Sequence, residues 1–313
     1  LSPQPFLFRH SPCMPVRAFF AELPPALRGG LWMMAAALSF TVMTTLVRQV
    51  GQEIHPFQIG FVRILVNLVL IFPFVMRTGK SIWKTDNHKA YALRGLFGFA
   101  FVLTYFAGAA QIPVSDSQAL IFTSPLFVTA MAVLFLGEKL KGPRTLALIV
   151  GFCGALIILR PGFDEVNIGA VLVLIASFAN AASNAVVKYT TRSDHPDKAV
   201  FYLMLWVAPM MLIPAIMVWE TPTLYQFTLM IGIGIFATFN QRFLGRAFAA
   251  ADATAVLPFD FARLPFAALI GWLVFSEFPD VWVWVGAAVI FSASIYLTRH
   301  EARATAKAAA EAP

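Results

Sequence analysis

From Gly29 onward the chain alternates long apolar runs with short polar joints, ten times over. The runs are Gly29–Val47, Phe57–Met76, Ala90–Ala110, Ser117–Leu136, Thr145–Leu159, Ile168–Val187, Ala199–Trp219, Phe227–Phe248, Ala253–Ser276 and Val281–Thr298. Each is near the ~20 residues a helix needs to cross a ~30 Å hydrocarbon layer. They are continuous and lack the in–out alternation of a membrane barrel, so helices are expected rather than strands. The predicted fold is an all-α polytopic membrane protein with ten transmembrane helices.

The pattern of the first two runs returns in the sixth and seventh. "LVRQVGQEIHPFQIGF" at Leu46–Phe61 and "VVKYTTRSDHPDKAVF" at Val186–Phe201 share a base, a His-Pro and a Phe at one spacing, 140 residues apart. "DSQALI" from Asp116 returns as "DATAVL" from Asp252, "LFLGEKL" with Glu138 as "LVFSEFP" with Glu277, and "FCGALIIL" from Phe152 as "FSASIYLT" from Phe291. Five spans is an odd number, so the second copy enters the membrane upside down. Two inverted repeats are therefore expected, at 29–160 and 161–299, between tails at 1–28 and 300–313. The first tail carries six prolines, which exclude a long helix, and Met14 is an alternative start.

The polar joints set the orientation. With both termini cytoplasmic, 19 of the 23 Lys and Arg fall on the cytoplasmic side, Arg94 counted among them. Arg48 and Arg160 remain outside, and Arg63 and Arg263 fall within spans. That bias predicts a multi-pass membrane protein with both ends cytoplasmic.

Composition agrees. The chain is 59% hydrophobic and 12% charged, with mean hydropathy +0.75, against roughly 45–50% and about 25% in soluble domains. The basic excess, 23 Lys and Arg against 16 Asp and Glu, is spread over the joints. It forms no basic stripe with interleaved aromatics, so no nucleic-acid partner is expected. Cys13 and Cys153 have no metal or disulfide spacing, and Cys153 reads as a packing residue. No HExxH, GxSxG or phosphate-loop pattern supports an intramembrane enzyme, which stands as the alternative with a non-transporting scaffold. No cofactor is expected.

The segments "ALSFTVMTTLVRQV…HPFQIGFVR", "SPLFVTAMAVLFLGEKLKGPRTLALIVGFCGALIIL" and "ADATAVLPFDFARLPFAALIGWLVFSEFPDVWVWVGAAVIFSASIYL" resemble EamA-type units of the drug/metabolite transporter superfamily. The resemblance implies a secondary carrier with a central cavity for a small organic metabolite, such as an amino acid, a nucleoside-like compound or a vitamin. "GRAFAAADATAVLPFDFARLPF" and "SEFPD" are most similar to bacterial uptake carriers for S-adenosylmethionine or riboflavin. The partners implied are the lipid bilayer and the solute, and a homodimer is compatible with the reading. The second copy departs from the pattern in having Leu203 where the first has Arg63.

Ionisable and amide side chains inside the spans are the candidate site. Arg63, Asn67, Asn180, Asn184, Asp260 and Arg263 form the expected cavity set. An intramembrane charge costs at least ~2.5–3.5 kcal/mol unless compensated, so each needs a reason to be there. Asp260 precedes Arg263 by three residues, which permits an internal ion pair. Arg63 is free either to brace helix ends or to hold a carboxylate or phosphate of the solute. Ser177, Asn180, Asn184 and Lys188 form one stripe of the sixth span, and Thr41, Thr44, Thr45 and Arg48 one stripe of the first. Threonines satisfy their own helix easily, so the first stripe reads as structural and the two asparagines as cavity wall. Within that set Asn67, four residues beyond Arg63, is a weaker candidate, as are Gln118, Asn240 and Gln241 outside it. Glu138 and Glu277 read as solvated joint carboxylates, and His55 and His195 as turn residues before proline.

Overall fold

The computed structural model describes residues 24–78, 85, 87–136, 142–159, 167–190, 196–251 and 253–310. Twelve helices run through them: α1 Pro25–Val50, α2 Pro56–Thr78, α3 His88–Ala109, α4 Val114–Ile121, α5 Ser124–Leu136 and α6 Gly142–Leu159, then α7 Ile168–Thr190, α8 Pro196–Met217, α9 Leu224–Ala250, α10 Ala253–Asp260, α11 Arg263–Phe275 and α12 Val281–Ala310. Glu138, Arg160 and His195 lie outside the described residues. Lys188 is described only in its backbone.

The chain is an all-α polytopic membrane protein. Seven stretches of 18 or more residues are long and apolar enough to cross a bilayer, while Thr145–Leu159 and Val281–Tyr296 are shorter. Leu65, Val69 and Phe72 of α2, Ile213, Ile216 and Met217 of α8, and Leu269 and Leu273 of α11 stand exposed on the outside. In water such a surface would drive aggregation; in lipid it matches its solvent. Trp282 and Trp284 are exposed at the start of α12, where interfacial anchors belong. Cys153 is exposed on α6, not packed inside as expected.

The two halves pack reciprocally. In each half a single helix takes one span, except that the fourth is divided, into α4 and α5 or α10 and α11. Helix α1 packs on α9 as α3 packs on α7, α2 on α9 as α3 on α8, and α1 on α10 and α11 as α7 on α4 and α5. Helices α2 and α8, and α6 and α12, pair with their own counterparts. A two-fold relation between the halves produces this exchange pattern, and most of the contact lies between halves. The α6–α12 crossing is close at Gly154 and Gly286. A Cβ on Gly286 would stand 2.6 Å from the Gly154 carbonyl oxygen, and one on Gly154 would stand 2.9 Å from that of Gly286.

Both divided spans were expected as single helices. In the first, Pro125 has no N–H to give the Ile121 carbonyl, and the chain tightens through bonds from Phe122 and Thr123 N–H to carbonyls three residues back. The Ile121 and Phe122 carbonyls accept instead from Ser177 Oγ of α7 (3.3 Å) and Ser294 Oγ of α12 (3.4 Å). Both donors belong to the other half, so the break is satisfied across the repeat boundary. Pro265, in the first turn of α11, marks the equivalent break. By contrast α8 runs unbroken through Pro209 and Pro214. At the C-terminus α12 continues to Ala310, through most of the expected tail.

Candidate functional site

Four of the six expected site residues meet in one cavity. Arg63 and Asn67 of α2 and Asn180 and Asn184 of α7 line it, with Arg94, Gly98 and Phe101 of α3, Leu203 of α8 and Gln241 of α9. Its volume is about 130 Å³. Leu203, the repeat counterpart of Arg63, faces the same space, so the departure between the copies falls within the cavity wall.

Helix register explains the convergence. Arg63 and Asn67 are one turn apart on α2, and Asn180 and Asn184 one turn apart on α7, so each pair shares a face. Asn67 Oδ1 accepts from Thr238 Oγ1 of α9 at 2.8 Å, which leaves its amide N–H groups for the cavity. Asn180 Nδ2 donates to Ser124 Oγ at 3.1 Å, at the start of α5. Asn184 is exposed toward the cavity mouth. The Arg63 guanidinium carbon lies 5.5 Å from the centre of the Phe106 ring, and its buried Nε has no hydrogen-bond partner among the described residues.

Arg94 was expected among the cytoplasmic bases. It is buried, at 7% exposure, six residues inside α3, and lines the cavity. Its place four residues past the predicted start of the third span was the available signal.

Asp260 and Arg263 do not line this cavity. Arg263 Nε donates to Asp260 Oδ1 at 2.7 Å, and the guanidinium carbon lies 4.6 Å from the Phe40 ring centre. The pair flanks the α10–α11 break and serves as an internal brace between that break and α1.

The weaker candidates separate. Gln241 lines the cavity, whereas Asn240 Nδ2 donates to the Ala36 carbonyl of α1 at 2.9 Å. Gln118 Nε2 donates to Thr44 Oγ1 at 3.0 Å, and Thr44 Oγ1 also bonds the Tyr105 hydroxyl at 2.8 Å. Thr41, Thr44 and Thr45 each donate to the carbonyl four residues back, as the structural reading of that stripe expects. Ser177 is absorbed by Thr123 Oγ1 and the Ile121 carbonyl. His55 caps α2 through its carbonyl, which accepts from the Gln58 and Ile59 N–H groups.

The cavity lies toward one end of the bundle. Arg94 is six residues and Leu203 seven from the starts of α3 and α8, while Asn184 and Gln241 are six and nine from the ends of α7 and α9. By chain direction all four helix ends lie with the start of α1, hence within about 9–14 Å of that end. At the opposite end the halves are joined by polar bridges. Arg48 makes a two-pronged ion pair with Glu277, one contact being Nη2 to Oε1 at 2.6 Å, and packs its guanidinium over Phe275. Gln58 Nε2 donates to the Glu220 carbonyl at 2.7 Å, and Gln226 Nε2 to Glu53.

Glu277 is therefore a paired carboxylate rather than a solvated one. What aims it is a left-handed turn at Ser276 (φ 56°), the one positive φ outside glycine among the described residues. There the Ser276 N–H bonds the Trp272 carbonyl at 3.0 Å and the Glu277 N–H that of Gly271 at 3.3 Å, closing α11.

Two inverted half-bundles, a polar cavity reaching inward from one end and an apolar outer face define a membrane carrier for small solutes. The EamA-like transporter family model matches the chain twice, at residues 27–160 and 167–299, and the chain belongs to this family. It is 33% identical over 282 residues to a riboflavin transporter of Vibrio cholerae, covering 88% of this chain and 95% of that one. To an S-adenosylmethionine uptake transporter of Rickettsia bellii it is 28% identical, covering 88% and 95%. To the pseudopaline exporter CntI of Pseudomonas aeruginosa it is 30% identical, covering 87% and 96%. A solved crystal structure matches with a TM-score of 0.59 at 14% identity, covering 88% of this chain and 98% of that one, and shares its fold. The chain is thus a small-metabolite transporter of the membrane and not an enzyme.

Proposed function

We infer that this carrier moves a flat, vitamin-like metabolite through the cavity between α2, α3, α7, α8 and α9 by alternating access, with riboflavin the first solute to test. One observation carries the reading: Arg63, Asn67, Asn180 and Asn184, drawn from both repeats, line one hollow inside the bundle. Buried amides and guanidinium groups cost free energy unless something occupies them, and a polar solute supplies that partner.

Repeat symmetry supplies the second support. Asn184 is the counterpart of Thr44, 140 residues earlier. Thr44 is sealed by Tyr105 and Gln118 beneath the Arg48–Glu277 pair, while Asn184 stands in the open cavity. One half of the pseudo-symmetric pathway is closed and its partner is open, the asymmetry that an alternating carrier exchanges between its two states. The excess of bases in the joints on the side of the termini supports cytoplasmic ends, and on that reading this is the inward-open state.

Relatives named for riboflavin include one from Rhizobium johnstonii, at 32% identity, beside that of Vibrio cholerae. The aromatic wall at Phe101 suits a flat ring. The test is flux into proteoliposomes holding the purified chain, with riboflavin and S-adenosylmethionine offered separately. Saturable riboflavin uptake, cut at least tenfold by Asn184→Leu in protein that reconstitutes normally, is the expected result. Uptake indifferent to Asn180→Leu and Asn184→Leu would remove the cavity from the transport path.

A further inference from the structure

We propose that Ser117 and Gln118 form a second contact for the solute, closed in this structure, which receives a solute hydroxyl when the Arg48–Glu277 end opens. The proposal rests on the carrier reading above and adds a site to its path. Ser117 and Gln118 are the fourth and fifth residues of α4, and both are wholly buried. Gln118 donates from Nε2 to Thr44 Oγ1, and its Oε1 has no partner among the described residues. Ser117 Oγ has none either. Turning the Gln118 amide over would exchange its two ends and still leave one of them unmet.

Two unmet polar groups side by side are costly in a sealed seam, because each has given up water without gaining a partner. Their neighbours have nothing left to give them. Thr44 Oγ1 already serves the Phe40 carbonyl, the Tyr105 hydroxyl and Gln118. The hydroxyls of Thr41 and Thr45 are turned to the carbonyls four residues back on α1. A pair of apolar side chains would close the same seam at lower cost, so the polar pair has its use when the seam is open.

The repeat indicates what that use is. Thr44 is the counterpart of Asn184, which lines the open cavity. When the two halves exchange states, the counterpart of the open wall becomes the open wall, and Thr44 with its neighbour Gln118 comes to face the solute. The two places already adjoin. Phe101 of the cavity wall stacks on Tyr105, with ring centres 5.4 Å apart, and the Tyr105 hydroxyl bonds Thr44 at 2.8 Å. A solute resting on Phe101 is thus one aromatic ring away from Thr44.

A hydroxyl is the group that fits this contact. It donates and accepts, so it can bond either end of the Gln118 amide and Ser117 Oγ together. A carboxylate only accepts and would leave Gln118 Oε1 unmet, whereas an ammonium group only donates.

The test compares riboflavin, whose side chain is a polyol, with lumiflavin, which carries a methyl group in its place. Flux is measured in proteoliposomes holding the full-length carrier. Gln118→Leu should lower riboflavin flux by roughly tenfold relative to lumiflavin flux, the worth of one or two hydrogen bonds. The thermal transition of this variant should hold or rise, because leucine removes an unmet amide while Thr44 keeps Tyr105. Ser117→Ala should act in the same direction with a smaller loss of flux. A role in packing alone would give the opposite result, a lower transition with an unchanged flux ratio. A second arm needs no solute. With Cys13 and Cys153 replaced by Ala, Ser117→Cys should react with an impermeant thiol reagent from the membrane side opposite to the one that labels Asn184→Cys.

A transition lowered by several degrees in Gln118→Leu would mean that the amide is satisfied where it stands, and would overturn the proposal. So would an unchanged flux ratio, or Ser117→Cys labelled from neither side. Riboflavin flux that survives Gln118→Leu but fails with Asn184→Leu would overturn this contact and leave the carrier reading standing. If the wild type carries neither flavin, riboflavin falls as the solute and the other two readouts decide the contact. Labelling from the opposite side together with a raised transition would then support it, and any other combination would overturn it.

Discussion

Replacing Glu277 by Gln should open the sealed end of the bundle. Its partner Arg48 has a side chain 12% exposed, and Glu277 itself is 38% exposed, so the ion pair lies between the surface and buried regimes. Exposed pairs are worth about 0.2–1 kcal/mol, while removing one partner of a buried pair costs about 3–5 kcal/mol because the other charge is stranded. An intermediate value of ~2 kcal/mol is expected here. That penalty applies only while the end is closed, because opening returns Arg48 to water. At 1.4 kcal/mol per tenfold, ~2 kcal/mol raises the open-to-closed ratio roughly 30-fold. A cysteine at Thr45 reports it. This residue is buried (6% exposed), bonds only its own helix, and stands five residues from the end of α1. With Cys13 and Cys153 replaced by Ala, Thr45→Cys should label ~30-fold faster with a hydrophilic thiol reagent when Glu277→Gln is added. The double substitution Arg48→Gln, Glu277→Gln strands no charge, and its labelling should return part of the way toward wild type. Labelling within twofold of wild type in the Glu277→Gln protein, or an identical gain in the double variant, would refute the assignment of this pair as a latch.

Two further substitutions test the packing beneath the transport cycle. Gly286→Leu places carbon where the Gly154 carbonyl already stands 2.6 Å away, so α6 and α12 must separate; overpacking of this kind costs about 1–3 kcal/mol or more, and the thermal transition should fall by several degrees. Gly245→Ala, a glycine with nothing within 4 Å of the added carbon, is the control and should leave the transition unchanged or raise it. Asp260→Asn leaves Arg263 buried beside Phe40 with its ion pair gone, and should destabilise the carrier by about 3–5 kcal/mol. Its effect should appear as lost folded protein in the membrane, whereas solute affinity in the protein that does fold should stay within threefold.

The spans and the duplication were legible because both are carried by long, repeated apolar patterns whose meaning does not depend on tertiary contacts. Asn180 and Asn184 were legible for the same reason: two amides one turn apart in an apolar helix share a face and need a polar neighbour. At the breaks Phe122–Thr123 and Phe261–Ala262 the sequence signals a bend, through Pro125, Pro258 and Pro265, but not the end of one helix and the start of another. A proline in an apolar run fits either a bend or the first turn of a new helix. The carbonyls freed at Ile121 and Phe122 are taken by Ser177 and Ser294, far away in the chain. Arg94 was counted with the cytoplasmic bases and not among the cavity candidates, and it is the packing of α3 against α7 and α8 that sets it in the cavity wall. Glu277 was read as solvated because its partner lies 229 residues earlier and a left-handed serine, invisible in residue type, points the two together. The Asp260–Arg263 pair was legible from its i, i+3 spacing, whereas its place in the cavity set rested on depth. Depth gives no azimuth, and the guanidinium groups of Arg263 and Arg63 stand over different rings, Phe40 and Phe106.

The central claim, that the hollow at Asn184 is the solute path and faces the side of the chain termini, is tested most directly by a single cysteine. In carrier with Cys13 and Cys153 replaced by Ala, Asn184→Cys would be exposed to a membrane-impermeant thiol reagent, in spheroplasts and in inverted vesicles. Fast labelling from the inverted side, slowed several-fold by a solute the protein binds, is what the account predicts. Labelling from neither side, or labelling that a bound solute leaves unchanged, would contradict it.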